Sequence, residues 1–157
     1  MTLFRLVGLA PDTFQSLFTL DAGALAPLGA RRVVADSPTG YPCRVSLEDA
    51  QVGETLLLLP FEHLAETSPY RASGPIFVRE GARRAVLAPG LLTPYVTRRL
   101  MSVRAYDAQH MMVTAEVCEG EAVREPIERM LADDAVAYIH LHNAKRGCFS
   151  CRVERAS

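Results

Sequence analysis

The run Tyr138-Ile139-His140-Leu141-His142, answered after a short polar stretch by Cys148-Phe149-Ser150-Cys151-Arg152-Val153, constrains the fold more than any other part of the chain. Alternation with a period of two marks β-strands whose two faces differ in chemistry. The intervening Asn143-Ala144-Lys145-Arg146-Gly147 predicts a hairpin, with Asn143 and Gly147 able to take left-handed backbone conformations. Counting inward from that loop sets His142 opposite Cys148, His140 opposite Ser150 and Tyr138 opposite Arg152, all on one face. Ile139, Leu141, Phe149, Cys151 and Val153 then fall on the other face, which is wholly apolar and must pack on a core.

The remaining pattern adds strands and short helices rather than long ones. Residues 3–9 read as a β-rich start, and Pro11-Asp12 opens a short helix with Phe14, Leu17 and Phe18 on one side. Cys43, Val45 and Leu47 alternate with Arg44 and Ser46, which predicts a half-buried strand with Arg44 facing outward, in a hairpin with the apolar strand Thr55 to Leu59. A long loop over 62–74 and a strand Ile76 to Arg79 follow, then a short helix capped at Thr93-Pro94. Val103 to Tyr106 and Met111 to Val117 predict a second hairpin, and a helix beginning at Glu125-Pro126 turns Ile127, Met130 and Leu131 to the core. Hairpins with interspersed helices imply an α+β fold, a mainly antiparallel sheet with a few short helices packed on one face, in a single domain over 1–157. Neither GxGxxG nor GxxxxGK[ST] occurs, which disfavours a nucleotide-binding doubly wound fold.

Charge and cysteine content narrow the partners. The net charge is −1 with both signs mixed along the chain, so no nucleic acid or anionic membrane is expected. The N-terminal apolar run is too short for a signal peptide, and no stretch approaches the roughly 20 residues of a membrane-spanning helix. Cys43, Cys118, Cys148 and Cys151 are too few and too unevenly spaced for a secreted disulfide scaffold, so a reducing, cytoplasmic setting is expected. Among 17 Lys and Arg only Lys145 is lysine, and Asn143 is the sole asparagine. In a composition that suggests a GC-rich genome, both fall in the same hairpin loop.

That hairpin carries the candidate site. Cys148-x-x-Cys151 with His140-x-His142 has the ligand chemistry of tetrahedral zinc, but cysteines three apart on a strand point to opposite faces. His140, His142 and Cys148 remain together as candidate ligands of an open metal site, with zinc the first candidate. Without metal, the same three residues set a thiol beside imidazoles with Arg152 near, the arrangement of a catalytic thiol. The plainest alternative is a solvated polar face in which Cys148 is only a small strand residue.

Arginines on or beside strands are less expected than arginines on exposed helices, and Arg44, Arg71, Arg79, Arg104 and Arg152 would bind a carboxylate or phosphate if several converged. Arg71-Ala72-Ser73-Gly74 adds a hydroxyl and a glycine, so Arg71 and Ser73 are candidate ligand-binding residues with Arg152, Tyr138 and Asn143. His63 and His110 read as isolated, solvated loop residues.

At Tyr41-Pro42-Cys43-Arg44, at Pro69 through Arg79, at Arg104-Ala105-Tyr106-Asp107 and through Tyr138 to Arg155, the chain resembles domain-of-unknown-function family 1203, a bacterial family. The resemblance runs over most of the chain after about residue 30, and it implies no activity, cofactor or catalytic residue. The residues themselves point to a domain that binds a small anionic molecule, with enzymatic chemistry open to Cys148, His142 and His140. The competing expectation is a non-enzymatic metal-binding or homodimeric domain using the same face.

Overall fold

The computed structural model describes residues 3–156; Met1 and Thr2, which belong to the stretch read against a signal peptide, and Ser157 lie outside the described residues. In chain order the strands are β1 (Phe4–Val7), β2 (Arg31–Val34), β3 (Pro42–Cys43), β4 (Glu48–Asp49), β5 (Thr55–Leu64), β6 (Ala72–Arg79), β7 (Leu100–Tyr106), β8 (Met112–Glu119), β9 (Tyr138–Asn143) and β10 (Phe149–Arg155). The helices are α1 (Asp12–Gln15), α2 (Ala22–Leu25), α3 (Pro94–Thr97) and α4 (Arg124–Leu131), with 3₁₀ turns continuing α1 and α2 and preceding α4. The α+β class and the antiparallel hairpins follow the sequence pattern. The strands divide into two five-stranded sheets, ordered β1-β10-β9-β7-β8 and β2-β5-β6-β3-β4.

The first sheet is antiparallel throughout. One face carries Met101, Val103, Ala105, Ile139, Leu141, Cys151 and Val153 into a core closed by Ile127, Met130 and Leu131 of α4. Burying each of those α4 side chains contributes roughly 1.5–3 kcal/mol, which explains why so short a helix holds its place. The turn before α4 comes very close to the end of α3: a Cβ on Gly120 would stand 2.0 Å from the Val96 carbonyl oxygen. Glycine is therefore a steric requirement there.

The second sheet departs from the expected pairing. Residues 43–47 are not a half-buried strand: β3 ends at Cys43, a turn with Leu47 at φ 54° follows, and Arg44 lies inside at 1% exposure. Nor do they pair with Thr55 to Leu59, since β5 lies between β2 and β6, while β3 joins β6 in parallel and β4 antiparallel. Alternation misled here because both the apolar and the polar members of Cys43–Leu47 are buried, a pattern a turn between two sheets satisfies as well as a strand does. β5 also runs past Pro60 to Leu64. Its partner β2 has ended by Leu58, so the missing N–H at Pro60 breaks no ladder bond on that side. The extension shortens the expected loop and carries His63 to the other sheet.

Candidate functional site

The face of the first sheet opposite α4 is where the sequence placed its polar cluster, and strand pairing arranges that cluster in rows. Arg152 on β10, His140 on β9, Arg104 on β7 and Ala115 on β8 are successive cross-strand partners. The next row is Phe149, His142, Ser102 and Val117, and the row on the other side runs through Tyr138, Tyr106 and Met112. Two arginines thus stand astride His140.

The hairpin register differs from the inward count. His142 faces Phe149 rather than Cys148, His140 faces Arg152 rather than Ser150, and the ladder shifts between Phe149 and Cys151. A bulge at Ser150 absorbs the extra residue and turns Phe149 from the expected apolar face to the imidazole face. There it stacks on His63, with ring centroids 5.3 Å apart and planes 9° from parallel. Beyond the bulge, Leu141, Cys151, Ile139 and Val153 keep their predicted place in the core.

His63 gathers the imidazoles: its ring lies 4.9 Å from His142 and 6.1 Å from His140, with those two 6.4 Å apart. His140 is 4% exposed and His142 1%. Burial, with His142, His63, Arg152 and Arg104 adding repulsion, holds His140 down to about 3. Burial holds His142 down to about 4 against the opposing pull of its bond to Gly147, and burial followed by Arg104 lowers His63. All three are neutral at pH 7. His142 Nδ1 lies 2.9 Å from the Gly147 carbonyl oxygen. A carbonyl only accepts, so Nδ1 carries the proton and Nε2 is left as a bare lone pair. That Nε2, His140 Nδ1 and His63 Nδ1 are all buried without a hydrogen-bond partner among the described residues.

Arg104 donates through Nε to Ser102 Oγ at 3.1 Å and has no carboxylate partner among the described residues. Arg152 covers the Tyr138 ring at 4.2 Å and reaches Glu154 at 3.7 Å. Tyr138 Oη meets His110 Nδ1 at 2.7 Å, and His110, at φ 64°, is further fixed by Ser68 Oγ donating to its carbonyl at 2.7 Å. His63 thus lies on β5 rather than in a loop, and His110, in the loop between β7 and β8 as expected, is joined to the cluster rather than isolated. Phe61-Glu62-His63-Leu64 does not alternate, its two middle residues both being polar, and the ladder shifts between Phe61 and Leu64, so the sequence carried no sign of His63; the position of His110 depends on a turn and a remote tyrosine.

Other candidates are placed elsewhere. Arg71 is held by Glu62 at 2.8 Å and is exposed, as is Ser73, so the pair forms no cradle. Arg79 approaches Glu54 at 3.5 Å. Cys148 makes its polar contacts with Arg44 Nη2 at 3.2 Å and Asn143 Nδ2 at 3.8 Å, and no hydrogen bond joins it to His140 or His142. Among the described residues no group of three or more His, Cys, Asp or Glu side chains is arranged to hold a metal ion. Arg44 was not foreseen as a buried group: its guanidinium also donates to the Phe149 and Pro42 carbonyls, each at 2.7 Å, and so ties the turn after β3 to β10.

No curated protein and no solved structure matches the chain. The sequence pattern of the family described as "Protein of unknown function (DUF1203)" does match, over residues 40–155, a span that takes in Arg44, His63, Arg104, His110 and the whole β9–β10 hairpin, and the chain belongs to that family.

Proposed function

We propose that the protein binds a small anionic molecule on the arginine and imidazole face of its first sheet, with Arg104 as the anchor and Arg152 and His63 beside it. The observation that carries this reading is the make-up of the row: Arg152 and Arg104 are the cross-strand partners of His140, the His63 and His142 rings lie 6.1 Å and 6.4 Å from it, and Arg104 has no carboxylate partner among the described residues. A partly buried guanidinium without a carboxylate, flanked by neutral imidazoles, gains most from an anion supplied from outside. The fixed tautomer of His142 adds a proton-accepting nitrogen to the same face, the group a proton-transfer reaction would use. Cys148 is not part of the row and is not needed for binding. All four cysteines are free thiols, which agrees with a cytoplasmic location as part of the same reading.

Titration of the protein with inorganic phosphate and with succinate, followed through the imidazole NMR signals, tests the proposal. Saturable shifts at His63 and His140 that weaken at least about tenfold in Arg104→Gln are expected, the loss of one charge-assisted contact. Equal binding by the variant, or no saturable shift with either anion, removes the reading.

A further inference from the structure

A cleft of about 310 Å³ lies away from the imidazole face, between the first helical segment and the end of β6. Its floor is apolar, formed by Phe14, Phe18, Val45 and Val78, and its rim holds Arg79, Arg83 and Arg84. No Asp or Glu lines it. The three guanidiniums make a cationic rim beside an apolar floor, their stems covering apolar surface while their heads stay at the cleft mouth.

The arginines are only partly occupied. Arg79 has the loose contact to Glu54 at 3.5 Å, and Arg84 spends Nε on the Gly8 carbonyl at 2.9 Å, with no partner for its two terminal nitrogens among the described residues. Arg83 is exposed and makes no ion pair or side-chain hydrogen bond among the described residues. The turn before Arg83 and Arg84 contains Gly81 at φ 75°, a left-handed conformation that glycine adopts without strain. Phe14 is itself fixed by a tilted contact with Phe61 at 5.8 Å, so the floor is a packed surface.

From this pairing of floor and rim the geometry points to a second binding site, one for a small apolar acid: a medium-chain or aryl monocarboxylate whose body lies on Phe14, Phe18 and Val78 and whose carboxylate meets Arg83 and Arg84. The volume is at the small end of ligand-binding cavities, which favours a compact ligand over a long acyl chain. Charge complementarity selects the acid: a neutral apolar molecule would leave the guanidiniums unanswered, and a bare inorganic anion would leave the floor wet. The site shares no residue with the Arg104 row, so each stands or falls separately.

Calorimetric and NMR titration with sodium octanoate tests it, with octan-1-ol and inorganic phosphate as the two half-ligands. Octanoate is expected to saturate with shifts at Phe14, Phe18 and Val78, and to bind tighter than either half-ligand. Arg83→Gln should weaken it about three- to fivefold, the size of a solvent-screened ion pair, and Arg83→Gln with Arg84→Gln about tenfold or more. Arg83 is exposed and makes no other polar side-chain contact among the described residues, so the single variant should melt at the wild-type temperature and keep the result readable. Arg104→Gln should leave octanoate binding unchanged. Octanoate that fails to saturate, binds the double variant as tightly as wild type, is matched by octan-1-ol, or shifts the imidazoles instead of the cleft overturns the proposal.

Discussion

At the scale of single residues, the buried imidazoles make the sharpest commitment. His140 and His142 have pKa values in the folded chain near 3 and 4, below the ordinary 6.5. As pH falls through 6.5 the unfolded chain takes up these protons while the folded chain refuses them, so the unfolded state binds more protons. Stability from these groups is therefore complete above pH 6.5 and is lost as pH falls toward 4, by about 1.4 kcal/mol per pH unit for each histidine. Urea unfolding between pH 7 and pH 4.5 should show this slope, and His140→Phe, which keeps an aromatic ring against Tyr106, Tyr138 and Phe149, should flatten it by about half. An unchanged slope would mean that His140 is not held neutral. Bound phosphate at Arg104 should oppose the loss, since it favours the protonated imidazoles.

At the scale of elements, the hairpins and α4 were legible because each obeys one period over several residues and faces a single core. Ile127, Met130 and Leu131 recur at helical spacing, and Ile139, Leu141, Cys151 and Val153 at strand spacing, so local pattern and burial agree. Legibility ended where one extra residue changes the answer. The bulge at Ser150 has no signature in Phe149-Ser150-Cys151, yet it decides that Phe149 joins His63 rather than the core. Arg44 was misread for a related reason: alternation reports which residues differ in polarity, and says nothing of a guanidinium drawn inside by remote carbonyls. Close approach between elements is equally invisible to pattern. Gly120 sits against the carbonyls of Val96 and Arg99, and Gly120→Ala should destabilise the fold by about 1–3 kcal/mol through displacement of α3 from the start of α4. Chemical denaturation measures the cost; a loss below a few tenths of a kcal/mol would show that the two segments can part freely.

At the scale of the whole molecule, the question is what makes two sheets one cooperative unit. Few groups cross between them as firmly as Arg44, which rises from the turn after β3 in the second sheet and donates to the Phe149 carbonyl on β10 of the first. Replacing a buried charge by an apolar side chain is often neutral, because the desolvation penalty disappears with the charge. Here the replacement also strands the Phe149 and Pro42 carbonyls, which Arg44 satisfies at 2.7 Å each, and an unpaired buried acceptor costs about 1–3 kcal/mol. Arg44→Met should therefore destabilise the protein by about 2–5 kcal/mol, with the carbonyls rather than the charge setting the sign. Its distribution is more informative than its size. If the sheets fold as one unit, amide exchange in β5 and β6 and in β9 and β10 should accelerate by the same factor, since both report one global opening. Acceleration confined to the second sheet would mean that the first sheet, with its arginine and imidazole rows, holds together without the second, even though β5 and the segment after it supply His63, Leu64 and Ser68 to that face.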